Sequence, residues 1–265
     1  MTRWASPVVD SEGRSVLAAA QTHGPVVMIA TPRQALQCRP AARWKTIDRD
    51  RSLDDFDQVP LTGQDSQRIE AMFIRGRGRT PLVADMFMAA DAPLLAFVET
   101  ADSQRFRLLV AGGDVIGMVT LSDLQRLPVY SLLFSLLIAV EVLLVEWIRN
   151  ACGDQADAWM QHLGPKRRKE IERHWKAAEA KNLGIDRLSC ASFGQEIAAA
   201  RGLGLFASEP AREHELLSLK QLRDCVCHAM EFAPTAEYAL EIPLQARKAR
   251  ALAQWLVERI NEKTQ

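Results

Sequence analysis

The sequence predicts an α+β protein, with strands and helices mixed in the first half and helices alone in the second. Between residues 94 and 119, short apolar runs alternate with glycine and aspartate turns, which is typical of strands. From residue 129 onward, apolar residues instead recur at steps of three and four, which indicates amphipathic helices. Pro128 separates the two patterns, so we place the predicted domains at residues 1–128 and 129–265.

The composition is that of an ordinary globular chain. Its 265 residues are 48% hydrophobic and 25% charged, which is enough for one large or two ordinary domains. Lysine plus arginine and aspartate plus glutamate both number 33, so nucleic-acid binding would require a local basic patch. The five cysteines lack a CxxC pair, which argues against a disulfide framework or a zinc ribbon. We expect reduced thiols, no metal site and a cytoplasmic protein.

The first 92 residues give weaker signals. Alanine-rich and apolar segments separated by proline and glycine predict short alternating elements. The predicted elements are a helix at 11–24, strands at 26–30 and 44–47, a weak helix at 65–74 and a helix at 81–90 that begins with Pro81.

A basic, glycine-rich segment lies between the last two of these helices, with the sequence Arg75-Gly76-Arg77-Gly78-Arg79. Glycines let the backbone approach an anion closely, and guanidinium groups are good phosphate donors. The alternative is a flexible basic loop with no fixed ligand, and the pattern alone favours this alternative.

The strand pattern of the first half is clearest after residue 93. Apolar runs at 94–98, 106–110 and 115–119 predict three strands, and Gly112-Gly113-Asp114 predicts the turn between the last two. A short helix should follow the third strand, with Thr120 or Ser122 as its N-cap and Pro128 after its end.

The segment Gly117-Met118-Val119-Thr120-Leu121-Ser122-Asp123 resembles the turn that ends a CBS module, in which Gly-apolar-apolar-Thr/Ser-x-x-Asp follows a hairpin. The resemblance covers residues 93–128, and residues 20–92 would form a degenerate partner repeat. In this family the site binds AMP, ATP or S-adenosylmethionine. The resemblance therefore implies Gly117, Thr120 and Asp123 as ligand-binding residues, with the hydroxyl near phosphate and the carboxylate near ribose. The alternative is a CBS fold kept only as a dimerisation scaffold.

The apolar segment at 129–148 is long enough to cross a bilayer. It contains Glu141 and Glu146, and each carboxylate would be costly in lipid. We therefore expect the first helix of a dimeric bundle, with both glutamates facing a polar cleft, and no stable membrane insertion. A membrane-associated regulator is the weaker alternative.

Five more helices follow in the predicted bundle, and glycine and proline separate them. They are placed at 154–162, 166–181, 188–201, 211–232 and 244–261. The third of the six helices starts with the basic run Lys166-Arg167-Arg168-Lys169, which could contact an RNA backbone or be a solvated helix start. Trp175 and Trp255 are expected in the core.

The fifth helix carries an apolar stripe with polar residues beside it. Arg223, Asp224 and His228 lie off this stripe. Arg223 and His228 are five residues apart and point about 140° from each other, whereas Asp224 and His228 share a face. Two copies packed around a two-fold axis could bring the Arg and the His into one cleft. The stripe consists of Leu219, Leu222, Val226 and Met230.

The hexapeptide Arg223-Asp224-Cys225-Val226-Cys227-His228 resembles the R-x4-H signature of the HEPN superfamily of all-α domains. Many members are metal-independent endoribonucleases that act as dimers. The resemblance implies that His228 transfers protons, Asp224 orients its imidazole and Arg223 stabilises the charge on the phosphorane. The expected products are a 2′,3′-cyclic phosphate and a 5′-hydroxyl. The alternative is a purely structural helix that carries an ordinary surface arginine and a partly buried histidine.

Together the two resemblances imply a homodimeric ribonuclease gated by an adenine nucleotide, an arrangement suited to a stress-response, toxin or phage-defence effector. A different class remains open, in which the chain is a non-catalytic nucleotide-binding regulatory or dimerisation protein.

Overall fold

The structure is a computed structural model that describes residues 58–62, 69–228 and 235–262. The chain divides into two compact units. Described residues up to 132, together with 235–244, form the first unit, and residues 133–228 with 245–262 form the second. The first unit mixes strands and helices and the second is helical, so the α+β class is confirmed. The elements predicted at 11–24, 26–30 and 44–47 lie outside the described residues.

The first sheet of the first unit is antiparallel, in the order β1 (Gln58–Thr62), β2 (Ile69–Ile74) and β3 (Gly78–Pro81). The helix predicted at 65–74 is wrong over its described part, because residues 69–74 pair as a strand on both sides. Pro81 does not begin a helix, since it ends β3 opposite Ala71. A proline is tolerated there because β3 is an edge strand and its missing N–H costs no ladder bond.

The second sheet consists of β4 (Phe87–Ala89), β5 (Phe106–Ala111) and β6 (Asp114–Thr120). β4 runs parallel to β5, and β5 runs antiparallel to β6. The strands predicted at 106–110 and 115–119 are thus confirmed. The strand predicted at 94–98 is wrong, because α1 (Leu94–Thr100) is a helix. A parallel pair requires a crossover connection, and α1 lies in the crossover from β4 to β5.

Both sheets of the first unit contribute to one core. Met72 on β2 and Leu108 on β5 are fully buried, and Phe106 is 3% exposed. Met86, in a 3₁₀ turn at Ala84–Met86, packs with them. The β2–β3 and β5–β6 hairpins are therefore held by a shared hydrophobic contact and not by their turns alone.

The helical unit contains most of five α-helices. They are α2 (Leu127–Cys152), α3 (Pro165–Glu179), α4 (Phe193–Gly202), α5 (Pro210–Cys227) and α6 (Ala236–Glu262). The helix predicted at 154–162 is a 3₁₀ turn at Ala158–His162, and another 3₁₀ turn spans Leu188–Cys190. α6 starts earlier than predicted and continues through Pro243.

α2 is the apolar helix that raised the question of a membrane span. Its length and composition would allow it to cross a membrane, and 56% of its most apolar 18-residue window is buried inside the protein. Leu136, Val140 and Leu144 are fully buried, as in the core helix of a bundle.

An aromatic cluster fills part of the helical core. The ring of Trp147 on α2 meets Phe206 at 5.6 Å and Trp255 on α6 at 5.1 Å, both edge to face. Trp255 is 5% exposed, as predicted, and its indole N–H donates to Glu209 Oε1 at 2.9 Å. Such pairs add about 0.5–1.5 kcal/mol beyond the burial of their area, so the cluster stabilises the contact between α2 and α6. Trp175 is only partly buried and stacks against Arg187.

Candidate functional site

α5 places the predicted catalytic residues near its C-terminal end. Leu219, Leu222 and Val226 are buried, which confirms the apolar stripe over the described residues. The helix ends at Cys227, earlier than predicted, and His228 follows with non-helical dihedral angles. Arg223 is partly buried, whereas His228 is exposed just beyond the last helical turn.

Arg223 is held by a carboxylate from another helix. Its Nε donates to Oε2 of Glu141 at 3.0 Å and its Nη2 donates to Oε1 at 2.9 Å. The two side chains are 21% and 14% exposed, so the pair is largely shielded from water. Nη1 donates to Asp224 Oδ1 at 3.3 Å. The bidentate pair fixes the orientation of the guanidinium plane and leaves further N–H donors on Nη1 and Nη2.

The charge of Arg223 is secured by this arrangement. Burial by itself lowers the pKa of the guanidinium, but the hydrogen bonds and charge of Glu141 raise that pKa above its ordinary value. Arg223 is therefore cationic at neutral pH.

Asp224 contacts different partners from the one predicted. Its carboxylate accepts hydrogen bonds from Lys220 Nζ at 2.8 Å and from Arg223, and not from the His228 ring. The hydrogen bond from Lys220, one turn earlier, is the main reason that the pKa of Asp224 is lowered. His228 instead donates its backbone N–H to the Asp224 carbonyl at 3.1 Å. The four-residue spacing thus gave a backbone contact, and the carboxylate supports Arg223 rather than the imidazole.

Glu196 is a site residue that the sequence analysis missed. It lies on α4, is 3% exposed, and its Oε2 has no hydrogen-bond partner among the described residues. Burial raises its pKa well above the ordinary value, as does the charge of Glu141, whereas Arg223 and Arg149 act in the opposite direction. Glu196 is therefore a buried carboxyl group that keeps its proton to higher pH, close enough to the Arg223–Glu141 pair to feel both charges.

Glu146, the second glutamate of the apolar segment, differs from Glu141. Its carboxylate lies 3.7 Å from Arg149 on the same helix and its side chain is 33% exposed. Arg149 in turn donates to Asp186 at 2.9 Å and 3.0 Å. Glu141 is thus the glutamate of α2 that contacts the R-x4-H segment.

The basic run Lys166-Arg167-Arg168-Lys169 lies in the first turn of α3, directly after Pro165. All four side chains are exposed. Their positive charges oppose the helix dipole at that end, so the patch contributes nothing favourable to the stability of α3.

The CBS-like segment forms a tight structural turn. Thr120 is the N-cap of a 3₁₀ turn at Leu121–Gln125. The sequence predicts either Thr120 or Ser122 at this position, so the first alternative is confirmed. Asp123 is 1% exposed; its Oδ2 accepts from the Thr120 N–H at 2.8 Å and its Oδ1 from Arg126 Nε at 2.6 Å. A ribose hydroxyl would have to displace these partners, so in this structure Asp123 holds the turn. Gly117 lies in β6 opposite Leu109.

A cavity of about 970 Å³ lies beside this turn, within the first unit. Of the three predicted ligand-binding residues, Thr120 lines it, whereas Gly117 and Asp123 do not. The cavity is at the upper end of the size range of small-molecule sites. Its polar lining includes Arg75, Arg77, Gln104, Arg105, Thr120 and Ser122.

The four cysteines in the described ranges, Cys152, Cys190, Cys225 and Cys227, are free thiols. Within those same ranges, no group of three or more His, Cys, Asp or Glu side chains could hold a metal ion. Compared with protein-family models, with curated proteins and with solved structures, the chain has no match.

Proposed function

We propose that this chain is a metal-independent endoribonuclease of the HEPN type, which acts as a homodimer and is controlled by an adenine nucleotide bound to a CBS-like first unit. The observation that carries the proposal is the end of α5, where an oriented arginine, Arg223, is followed by an exposed histidine, His228. Both belong to an all-helical unit, as the R-x4-H resemblance implies.

The proposed reaction is attack of an RNA 2′-hydroxyl on its own phosphorus. His228 accepts the proton of the 2′-hydroxyl and returns it to the leaving 5′-oxygen, as imidazole groups do in general acid–base catalysis. Arg223 stabilises the charge that develops on the phosphorane oxygens with the donors that Glu141 leaves available. The bond to the 5′-oxygen breaks, which gives a 2′,3′-cyclic phosphate and a 5′-hydroxyl. No oxidant or further reactant is needed.

A second copy completes the proposed site. Ideal helical spacing puts positions 223 and 228 about 140° apart around one axis, so the proposed shared cleft combines Arg223 with His228 of the partner subunit. Nucleotide binding to the first unit would then regulate cleavage by favouring one dimer arrangement over another. By analogy with the family, a dimer controlled in this way would serve as a stress-response, toxin or phage-defence effector.

The direct test incubates the purified full-length protein with end-labelled RNA in EDTA. We expect cleavage with cyclic-phosphate ends, and loss of that cleavage in His228→Ala. His214→Ala is the matched control, because His214 is also exposed and lies on α5, the helix that ends directly before His228. Neither variant should change thermal stability, since both side chains are solvated. Equal cleavage by His228→Ala and His214→Ala would refute the nuclease proposal.

Arg223 requires a different variant, because alanine would also leave Glu141 without its partner. Arg223→Lys keeps the charge but loses the bidentate geometry. We expect a folded protein with cleavage reduced by at least tenfold. A monomer in light scattering that still cleaves RNA would contradict the shared cleft.

The cavity beside Thr120 favours a second candidate function, because it lies in the first unit and does not depend on α5. In this alternative the chain is a non-catalytic nucleotide-binding regulator and the helical unit serves for dimerisation. It predicts that a nucleotide raises the melting temperature while RNA stays intact.

A further inference from the structure

The first unit concentrates arginines around its cavity. Arg75 and Arg77 flank Gly76 at the turn between β2 and β3, and Arg105 approaches from the connection between α1 and β5. All three arginines are exposed and line the same cavity. The sequence pattern alone favours a flexible basic loop, whereas the structure places Arg75 and Arg77 of this segment in the lining of a cavity.

We propose that this cavity selects a ligand with two or more phosphate groups, and that Arg75, Arg77 and Arg105 bind those phosphates. The inference rests on the proposed nucleotide regulation and narrows its ligand class. It favours a nucleoside di- or triphosphate over adenosine, AMP or S-adenosylmethionine.

The turn has the geometry of a fixed element. Gly76 and Gly78 have φ angles of +80° and +70°, a backbone conformation that favours glycine and closes the hairpin tightly. The Arg77 N–H donates to the Ile74 carbonyl at 2.9 Å, and Ile74 pairs with Gly78 across the strands. Because β2 packs into the core through Met72, the backbone that carries Arg75 and Arg77 is held in place, and binding has to order only their exposed side chains.

The charge balance of the cavity favours an anion. Among the described residues that line it, Asp102 is the acidic side chain set against the three arginines. Glu237 lies outside the lining but feels the charge of Arg105; its pKa is lowered first by a hydrogen bond with Thr235 and also by that arginine. The lining remains net positive, which attracts a polyphosphate and disfavours the cationic sulfonium of S-adenosylmethionine.

The neutral part of the lining suits the rest of a nucleotide. Ser122 offers a hydroxyl and Gln104 offers an amide. The Thr120 hydroxyl donates to Asp123 Oδ2 at 3.4 Å, so it can serve a ligand only as an acceptor. These groups can donate to or accept from a sugar or base, so the site combines phosphate recognition with neutral hydrogen bonding in one cavity.

The test measures binding of ATP, ADP, AMP, adenosine, tripolyphosphate and S-adenosylmethionine to the full chain, by calorimetry at constant ionic strength. We expect affinity to fall in the order ATP, ADP, AMP, with adenosine and S-adenosylmethionine binding at least a hundredfold more weakly than ATP. Tripolyphosphate, which has no sugar or base, should also bind, and its binding would support the phosphate subsite. Arg75→Gln, Arg77→Gln and Arg105→Gln should each weaken ATP binding about tenfold or more, since each removes a charged hydrogen bond.

Arg79→Gln is the matched control. Arg79 follows in the same basic segment, but it lies outside the cavity lining and its Nη2 is 3.7 Å from Glu70. Its substitution should leave ATP affinity unchanged. The inference is overturned if adenosine or S-adenosylmethionine binds as tightly as ATP, or if all four arginine variants behave alike. It is also overturned if a single-stranded oligonucleotide binds and ATP does not compete.

RNA cleavage by the same preparations separates this inference from the proposed function. If AMP or adenosine binds as well as ATP and still changes cleavage, the phosphate selectivity fails and nucleotide regulation stands. If no adenine compound binds or alters cleavage, the proposed regulation itself fails.

Discussion

Replacing Glu141 with alanine measures how much the helical unit depends on the carboxylate that holds Arg223. Breaking a fully buried ion pair costs about 3–5 kcal/mol, whereas an exposed pair contributes about 0–1 kcal/mol. Glu141 and Arg223 are 14% and 21% exposed, so the pair is closer to a fully buried ion pair than to an exposed one. Arg223 keeps Asp224 as a partner when Glu141 is removed, which reduces the loss. We therefore expect Glu141→Ala to lower the free energy of unfolding by about 2–3 kcal/mol.

The assay is thermal and urea unfolding of the full chain at neutral pH. A loss of this size should lower the melting temperature by roughly 4–12 °C for a chain of this length. Glu146→Ala is the matched control, because Glu146 lies on the same helix, is 33% exposed and has only a 3.7 Å ion pair. Its loss should cost less than about 0.5 kcal/mol. A double-mutant cycle with Arg223→Ala should give a coupling energy of about 1–2 kcal/mol. If Glu141→Ala is no more destabilising than Glu146→Ala, the argument for a structural pair is refuted.

Three further predictions follow from buried groups. Because the folded-state pKa of Glu196 is raised, stability should fall as pH rises above the ordinary value of 4.5. Glu196→Gln should remove that fall in urea midpoints compared between pH 5 and pH 8, and an unchanged slope would contradict it. Asp123→Ala should lower the free energy of unfolding in urea by about 2 kcal/mol, because it removes the acceptor of the Thr120 N–H and of Arg126 Nε; a loss below about 0.5 kcal/mol would contradict this. Met72→Ala should lower the free energy of unfolding, followed by thermal melts, by about 2–5 kcal/mol, because it leaves a cavity in the core of the first unit. A loss below about 1 kcal/mol would contradict the burial of Met72.

The local sequence pattern was sufficient to predict an element of the fold where the pattern was long or was flanked by turn residues. The apolar repeat of α2 and the glycine turn between β5 and β6 were predicted correctly. The run at 94–98 was not, because five consecutive apolar residues suit a buried strand or a buried helix equally. What decides the outcome is the parallel pairing of β4 with β5, which requires a crossover between them. That pairing joins residues about twenty apart, and β4 is too short to be recognised from sequence.

The candidate site was predicted in its residues but not in its contacts. The R-x4-H spacing predicted Arg223 and His228 on one helix, whereas the structure has Arg223 on α5 and His228 directly after its end. The partner of Arg223 is 82 residues away in sequence, beyond any helical spacing rule, so only tertiary packing reveals Glu141. The sequence contains only a weak indication of Glu196. It and Gln195 are neighbouring polar residues in a helix whose other buried residues are apolar.

The aromatic cluster of the helical core has a practical consequence for following the protein in solution. The chain has six tryptophans, and four of them lie in the second unit: Trp147, Trp159, Trp175 and Trp255. The described part of the first unit contains no tryptophan. Three of the four are buried, so their fluorescence should shift to longer wavelength when that unit opens to water. Emission thus reports largely on the helices, while ligand-induced changes around the arginine-lined cavity can be followed by calorimetry on the same sample.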